Sequence, residues 1–328
     1  MFNRYLILFF LALFLNGAQA QQVTVLSGQK NVVEWLKSID WWGEVHYGDE
    51  LEVPNVMLVG ITERWQQYAP TMPVPKKKEI FFRMMLPLVM HANAMVEERR
   101  ERLRNMSDRL QDGKALDAAD RDWMLLASSS LRIDNTLPAQ TQIDQLLHKL
   151  DVIPPGLVLG QAAYESGYGT SRFAVEGNAL FGQWTFGDGG MKPEQQRSTL
   201  GKYGVAAFEW PFDSVRSYFI NLNSHPAYAD FRRLRSELRL KGEPLTSMTL
   251  VEGLTSYSEL GDKYVNTLKS IIRVNQLDIA DDAVLRDEPM SFVMGAADDA
   301  AAVALRKQIE DMRASGELSE IIDKMRLD

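Results

Sequence analysis

Glu165 is the residue whose setting in this sequence most clearly favours chemistry. It lies near the end of an apolar segment that begins at Pro154-Pro155, and the Gly-rich turn Ser166-Gly167-Tyr168-Gly169 follows directly. The three residues before it, Ala-Ala-Tyr, supply no positive partner, so burial would raise the pKa of the carboxyl group and keep it protonated near neutral pH. A protonated carboxyl group can act as the general acid that protonates the leaving oxygen of a glycosidic bond. The local residues leave a second interpretation open, a helix-end glutamate that faces solvent.

Two motifs around Glu165 resemble the signature of a known family. Residues 161–171 read QAAYESGYGTS, and residues 177–182 read GNALFG. They resemble the bacterial endo-β-N-acetylglucosaminidases of glycoside hydrolase family 73, in which Q-A-x-x-E-S-G-x-G precedes N-L-F-G. One departure is the extra Ala179 between Asn178 and Leu180. The resemblance covers roughly residues 141–275 and implies that Glu165 is the catalytic acid.

The chain is also similar to two wider groups of proteins. The Glu-Ser pair resembles the lysozyme and lytic transglycosylase superfamily. Residues 35–110 are similar to the exported bacterial Bax proteins. These resemblances imply a lysozyme-like helical catalytic domain with a small β-lobe.

The family resemblance implies a second carboxylate in the β-lobe, in a Thr-x-Glu-Tyr-like context. Glu194 lies at about that place, although its surroundings, KPEQQR, depart from the pattern. Glu209 and Asp188 are competing carboxylates. The structural alternative for Glu194 is an exposed residue paired with Lys192 or Arg197, because surface ion pairs are common and individually weak.

Two tyrosines are candidates for a place beside the acid. The run Asp262-Lys263-Tyr264-Val265 is similar to the D-x-x-Y-A motif of the family. This likeness implies that Tyr264 helps to hold the acetamido sugar or the attacking water. Tyr257 occupies a related Y-A-T-like position. The alternative for Tyr264 is an amphipathic residue at a helix start, with a buried ring and a solvated hydroxyl group.

Aromatic and amide side chains near the two motifs are candidates for sugar binding. A pyranose stacks its C–H face on an aromatic ring while its hydroxyl groups form hydrogen bonds with polar edges. The candidates are Tyr168, Asn178, Gln183 and Trp184. Phe181 is predicted to be a core residue instead. Gly167 and Gly169 are predicted to allow the backbone of the turn.

The apolar periodicity predicts a mostly α fold of the α+β type, with N-terminal helices before the catalytic domain. Helices are predicted over residues 80–111, 118–131, 141–150, 213–223, 245–254 and 263–275, and from Pro155 onwards. Pro87 is expected to kink or split the first of them. Short aromatic segments between residues 184 and 208 predict a small β-hairpin, and residues 23–26 predict a short strand.

Four parts are predicted along the chain. Residues 1–20 combine Arg4, an apolar run and the sequence Ala-Gln-Ala, which is typical of a secretory signal peptide and predicts a periplasmic or other extracytoplasmic location. The alternative is an uncleaved anchor, although the run is shorter than the ~20 apolar residues of a bilayer span. Residues 21–140 are predicted to be an N-terminal helical region and residues 141–275 the glucosaminidase domain. Residues 276–328, with 13 acidic and six basic residues, are predicted to be an acidic helical tail.

The composition argues against several classes of partner. The chain has 328 residues, a net charge of −8, no Cys and four scattered His. An acidic chain without a basic patch is a poor candidate for nucleic acid. No zinc-ligand spacing is present and no cofactor or metal is predicted. A neutral glycan is compatible with this charge.

The resemblance implies that the partner is the glycan strand of peptidoglycan. The predicted activity is hydrolysis of the β-1,4 bond at N-acetylglucosamine. Two alternatives stay open: a lytic transglycosylase, which forms an anhydro sugar, and a non-catalytic envelope protein that binds peptidoglycan.

Overall fold

A computed structural model describes residues 22–27, 29–43, 51–186, 190–192, 203–317 and 320. The helices are α1 (Gln29–Ser38), α2 (Glu63–Tyr68), α3 (Val74–Gln111), α4 (Ala118–Ser130), α5 (Ala139–Lys149), α6 (Pro155–Ser166), α7 (Arg172–Gly177), α8 (Pro211–Ser224), α9 (Ala229–Lys241), α10 (Ser247–Leu250), α11 (Asp262–Val274) and α12 (Asp299–Ser315). The strands are β1 (Val23–Leu26), β2 (Glu52–Val53), β3 (Val56–Leu58), β4 (Trp184–Phe186), β5 (Tyr203–Val205), β6 (Val284–Leu285) and β7 (Ser291–Gly295). Short 3₁₀ helices cover Ala69–Thr71, Pro226–Tyr228, Val251–Leu254 and Leu277–Asp282. The predicted mostly α fold class is confirmed.

Helix α3 differs from its sequence prediction at Pro87. The helix runs without a break over 38 residues, so a split at Pro87 is wrong, whereas the alternative of a kink stays a prediction. Leu86, Leu88 and Val89 are buried around the proline. Packing of this apolar face compensates for the backbone hydrogen bond that proline removes.

Helix α9 was not predicted from the sequence. Its buried face consists of Phe231, Arg232, Arg235 and Leu238. Two arginines on the inner face interrupt the apolar period by which an amphipathic helix is usually identified. Local sequence therefore gave no clear indication of this helix.

Helix α6 lies at the centre of the fold and carries Glu165. Ten of its twelve residues are buried, and it packs against α3, α11 and the 3₁₀ helix Leu277–Asp282. A β-carbon on Gly156 would lie 2.3 Å from the Leu277 carbonyl oxygen, so only glycine permits this approach. Asp281 accepts a hydrogen bond of 3.0 Å from the Gly156 N–H. This N–H belongs to the first turn of the helix, where backbone donors have no partner within the helix itself. The helix is thereby held on several sides.

The acidic tail contributes strands as well as a helix. Strand β7 lies between β1 and β3 and is parallel to both, and β6 pairs in parallel with β2. The tail therefore contains strands that the prediction of a helical tail did not include, whereas the strand predicted at residues 23–26 is confirmed as β1. Parallel pairing joins segments that are more than 200 residues apart. Because parallel strands are not joined by a tight turn, β6 and β7 have no local turn signal that would identify them in the sequence.

The small β-lobe contains an antiparallel pair of strands. Trp184 of β4 is opposite Val205 of β5, in the region where the sequence predicted a hairpin. Glu194 and Asp188, two of the candidate carboxylates, lie outside the described residues. Within the described part of the chain, none of the helices combines the length and the apolar character that a membrane span requires.

Candidate active site

The turn after α6 positions Glu165. Gly167 ends the helix in the left-handed region with φ of 59°, as expected for a glycine at this position. The Ser166 hydroxyl is fully buried, donates to the Ala162 carbonyl at 2.5 Å, and accepts a hydrogen bond from the Gly169 N–H at 2.8 Å. The Glu-Ser-Gly sequence thus builds a rigid helix end one residue beyond the candidate acid.

The carboxyl group of Glu165 has a neutral environment. The residue is half-buried, and no lysine or arginine of the described chain forms an ion pair with it. Burial raises the pKa of Glu165, and a hydrogen bond from Tyr264 offsets only part of that increase. The direction of this shift favours the protonated form that a general acid needs.

A chain of buried hydrogen bonds ends on Glu165. The Tyr264 hydroxyl donates to Glu165 Oε1 at 2.7 Å, and Gln161 Nε2 donates to the Tyr264 oxygen at 3.0 Å. The Tyr218 hydroxyl donates in turn to Gln161 Oε1. Burial raises the pKa of Tyr264, so its hydroxyl stays a donor. Because Oε1 accepts this hydrogen bond, the proton of the acid belongs on Oε2.

Gly182, the last residue of the second motif, faces that second oxygen. A β-carbon built on Gly182 would lie 3.9 Å from Glu165 Oε2, and the φ of this glycine is 61°. The absence of a side chain keeps space open beside Oε2. A glycosidic oxygen needs such space to approach the acid.

Aromatic rings surround the hydrogen-bonded chain. Tyr257 stacks on Tyr264 with ring centroids 5.5 Å apart and planes inclined by 5°, and its hydroxyl donates to the Phe181 carbonyl at 3.2 Å. Phe181 is buried and stacks on Tyr218 at 4.1 Å, which confirms the prediction of a core residue. The edge of Tyr164 meets Tyr264 at 5.5 Å. The structure therefore brings Glu165, Tyr257 and Tyr264 together, as the sequence predicted.

The β-lobe presents Trp184 to solvent. Its side chain is 52% exposed and its ring stacks on Tyr203 with centroids 5.0 Å apart. Gln183 precedes it and donates through Nε2 to the Ser214 carbonyl at 3.0 Å. An exposed, supported indole ring is suited to sugar stacking. Sugar contacts by these two residues stay predictions.

Tyr168 and Asn178 lie in structural positions. The Tyr168 ring packs against Phe81 and Phe82 of α3, with centroids 5.7 and 5.9 Å away. Asn178 Nδ2 donates to two backbone carbonyl groups, those of Phe208 and Glu209, and its Oδ1 accepts from the Ile61 N–H. Both amide hydrogens of Asn178 are thus engaged by backbone. Both side chains therefore have contacts within the chain, and their predicted substrate contacts stay predictions.

The second catalytic carboxylate stays a prediction. Glu194 and Asp188 belong to the segments that the structure leaves undescribed. Glu209 is exposed, and it contributes its backbone carbonyl to Asn178. Among the described residues, no group of three or more His, Asp or Glu side chains could hold a metal ion.

Three site residues were given no role from the sequence. Gln161 had a detectable signal, because it lies four residues before Glu165 and therefore on the same face of the helix. Gly182 was visible as a motif residue, but its proximity to Oε2 depends on the tertiary fold. Tyr218 had no local signal that separates it from other buried residues of α8.

Comparisons with known proteins agree with this geometry. Residues 140–277 match the Glucosaminidase family, described as mannosyl-glycoprotein endo-beta-N-acetylglucosaminidase. The chain is 33% identical over 211 residues to Protein bax of Escherichia coli (strain K12), and this alignment covers 62% of the chain and 72% of that protein. No solved structure gives a significant match. The chain therefore belongs to the family of glucosaminidase-domain proteins that includes Protein bax.

Proposed function

We propose that this chain is an exported peptidoglycan hydrolase that cleaves the β-1,4 bond at N-acetylglucosamine, with Glu165 as the general acid. The observation that carries the proposal is the arrangement of the Glu165 carboxyl group within a glucosaminidase domain. Its Oε1 accepts the Tyr264 hydrogen bond, its Oε2 faces Gly182, and burial raises its pKa.

The hydrogen bond from Tyr264 favours proton donation as well as orientation. Glu165 Oε2 gives its hydrogen to the departing sugar oxygen, which leaves a carboxylate behind. The Tyr264 hydrogen bond then ends on a charged acceptor and becomes stronger. An interaction that strengthens as the bond breaks lowers the barrier of the reaction.

The attacking group has two possible sources in this proposal. Glu194 could activate a water molecule in an inverting reaction, which requires about 6.5–9.5 Å between the two carboxyl groups. The acetamido oxygen of the substrate could attack instead, in a retaining reaction assisted by the substrate. The hydrogen bond to Glu165 serves both routes.

The proposed location outside the cytoplasm is supported by the signal-peptide pattern of residues 1–20. Peptidoglycan lies in that compartment, so the proposed substrate and the proposed location agree. Expression of the full chain with a C-terminal tag, followed by fractionation and N-terminal sequencing, tests export. Retention of residues 1–20 on a cytoplasmic product would contradict it.

Product analysis on isolated sacculi tests the proposed reaction. Hydrolysis at N-acetylglucosamine releases fragments with a reducing N-acetylglucosamine end, which mass spectrometry separates from the anhydro sugar of a transglycosylase. We expect Glu165→Gln to lower the rate at least about a hundredfold, the lower range for loss of a general acid. The control is Glu176→Gln, an exposed glutamate paired with Arg172, which should retain full activity.

The other outcomes decide between the alternatives. Anhydro products that depend on Glu165 would assign a lytic transglycosylase. Binding to sacculi without turnover would assign a non-catalytic protein. Full activity of Glu165→Gln would exclude Glu165 as the acid.

A further inference from the structure

A cavity away from Glu165 lies between α3, α4 and α8. Its volume is about 390 Å³, within the range of small-molecule sites. The walls are mainly apolar and include Trp123, Leu126, Leu131, Phe219 and Ile220. The only charged residues that line it within the described chain are Arg99 and Arg216. The cavity therefore has an apolar wall and a positively charged part, which Arg99 and Arg216 supply.

Arg99 forms no ion pair within the described chain, although the carboxylate of the adjacent Glu98 attracts it. The residue is half-buried and forms neither a hydrogen bond nor an ion pair with any described residue. Burial lowers the pKa of Arg99 and the positive charge of Arg216 lowers it further, and the charge of Glu98 offsets only part of this effect. Arg216 has Asp213 at 3.6 Å as its own ion-pair partner. A partly desolvated guanidinium group beside a second positive charge is unfavourable, and a bound anion would relieve it.

The rim of the cavity indicates the other half of a ligand. Leu126 is 70% exposed and Ile220 is 39% exposed, although both are large apolar residues. Exposed apolar residues next to a concave apolar wall are typical of a binding surface. The ligand that fits this arrangement has one carboxylate and a small apolar body.

We propose that this cavity binds the D-alanyl-D-alanine end of a stem peptide, the part of the peptide on peptidoglycan strands that has small apolar side chains and a free carboxylate. The choice of a stem peptide rests on the proposed function. Arginine suits the carboxylate because its planar guanidinium group forms two parallel hydrogen bonds with it. The apolar walls suit small side chains such as those of alanine.

Helix α8 connects this cavity with the glycan-cleaving site. Tyr218 reaches the hydrogen-bond chain of Glu165, and Arg216, two residues earlier, lies about 200° around the helix. A helix with its side chains is about 10–12 Å across. A stem of four residues spans up to about 14 Å when extended. Half the circumference of such a helix is about 16–19 Å, which exceeds that span, so the peptide end that the cavity binds belongs to a glycan strand other than the one at Glu165.

Binding measurements on the full chain test this site separately from catalysis. Calorimetric titrations use the Glu165→Gln variant, so that failure of the proposed hydrolysis does not affect the result. The probe is N-acetyl-D-alanyl-D-alanine, and its carboxamide is the uncharged control. We expect the carboxamide to bind at least tenfold more weakly, since a charge-assisted hydrogen bond is lost.

Two arginine variants locate the site. Arg99→Gln should weaken binding of the dipeptide at least tenfold. Arg104→Gln is the matched control on the same helix, with a side chain that is 51% exposed, and it should bind like the parent. Thermal unfolding checks the fold of both variants, and we expect Arg99→Gln to be no less stable because it removes an unpaired charge.

Three results would overturn the proposal. One is the absence of dipeptide binding to the folded chain, and another is equal binding of the acid and the carboxamide. The third is tighter binding of hexanoate than of the dipeptide, because it would assign the cavity to a simple aliphatic carboxylate. In an active background, Arg99→Gln should also lose the preference for intact over peptide-free glycan strands, which would support the assignment.

Discussion

A buried and a half-buried carboxyl group, those of Asp151 and Glu165, lie near opposite ends of α6, and their pKa values are shifted in opposite directions. Asp151 precedes the helix by four residues, and Glu165 lies one residue before its end. Burial raises the pKa of both. The hydrogen bond from Arg239, with the charges of Arg235 and Arg100, reverses this effect at Asp151 and leaves its pKa below the ordinary value. Tyr264, a neutral donor, cannot do the same for Glu165.

The difference shows that the partners of a buried acid, rather than burial alone, decide its protonation. The arginines around Asp151 also bind carbonyl groups at the end of α5: Arg235 donates to Lys149 at 2.8 Å and Arg100 to Leu147 at 2.8 Å. Positive groups at a helix C-terminus stabilise it. The Asp151 cluster therefore joins α5 to α3 and α9, whereas the neutral surroundings of Glu165 favour its protonated form.

Removal of Asp151 should have the largest effect on stability. Asp151→Ala leaves Arg235, a buried guanidinium group, and its neighbours without their anion, and we expect a loss of about 3–5 kcal/mol in the free energy of unfolding. Urea denaturation measures this loss. Asp112→Ala is the control, since Asp112 pairs with Lys114 at the surface and should change the value by less than about 1 kcal/mol. Equal losses would show that the buried cluster is not held by its anion.

Removal of the Tyr264 hydroxyl should have an intermediate effect, on activity. Tyr264→Phe leaves Glu165 Oε1 without its donor, and we expect the rate to fall about tenfold, or roughly 1.4 kcal/mol. Because this hydrogen bond lowers the pKa of Glu165, its loss should move the alkaline decline of activity to higher pH. A pH profile of glycan cleavage measures both changes. A shift of that decline to lower pH would contradict a hydrogen bond from Tyr264 that lowers the pKa of Glu165.

A methyl group at Gly182 should have a smaller effect. Comparison of its effects on stability and on activity separates backbone strain from obstruction of the space beside Glu165. Gly182→Ala places a non-glycine residue at positive φ, which costs about 1 kcal/mol of stability, and puts a β-carbon 3.9 Å from Glu165 Oε2. Gly242→Ala likewise places a side chain at positive φ, here 68°, with no atom within 4 Å of the new β-carbon. We expect similar losses of stability in urea denaturation and a loss of activity only at Gly182. Equal activities would show that the space beside Oε2 is not used by substrate.

The pH dependence of the free energy of unfolding should show the smallest effects, but Glu165 and Asp151 should change it in opposite directions. The folded-state pKa of Glu165 is raised above 4.5, so its contribution to stability is present at lower pH and is lost as pH rises through the raised pKa. The folded-state pKa of Asp151 is lowered below 3.8, so its contribution is present above that value and is lost as pH falls through the lowered pKa. Relative to the parent, Glu165→Gln should therefore gain stability as pH rises. The loss of stability in Asp151→Ala should become smaller as pH falls. If the stability difference from the parent changed with pH in the same direction for both variants, the two pKa shifts would not be opposite.

The main helices and the candidate acid were predictable because their signals are local. Glu165 and its turn depend on residues close in sequence: Gln161 one helical turn earlier, Ser166 next to it, and Gly167 and Gly169 at positive φ. The positions of Tyr257 and Tyr264 came from the family resemblance, and the structure places both beside the acid.

Other features were decided by contacts between segments that are distant in sequence. Strand β7 pairs with β1 across more than 260 residues, and the ring of Tyr168 turns towards α3 because Phe81 and Phe82 lie there. Only the tertiary structure shows that Oε1 of Glu165 is occupied by Tyr264 and that Oε2 faces Gly182. The sequence thus determines that the candidate acid is a glutamate at the end of an apolar helix. Which of its two oxygens is free to carry a proton is determined by the tertiary structure, because a residue distant in sequence donates a hydrogen bond to the other oxygen.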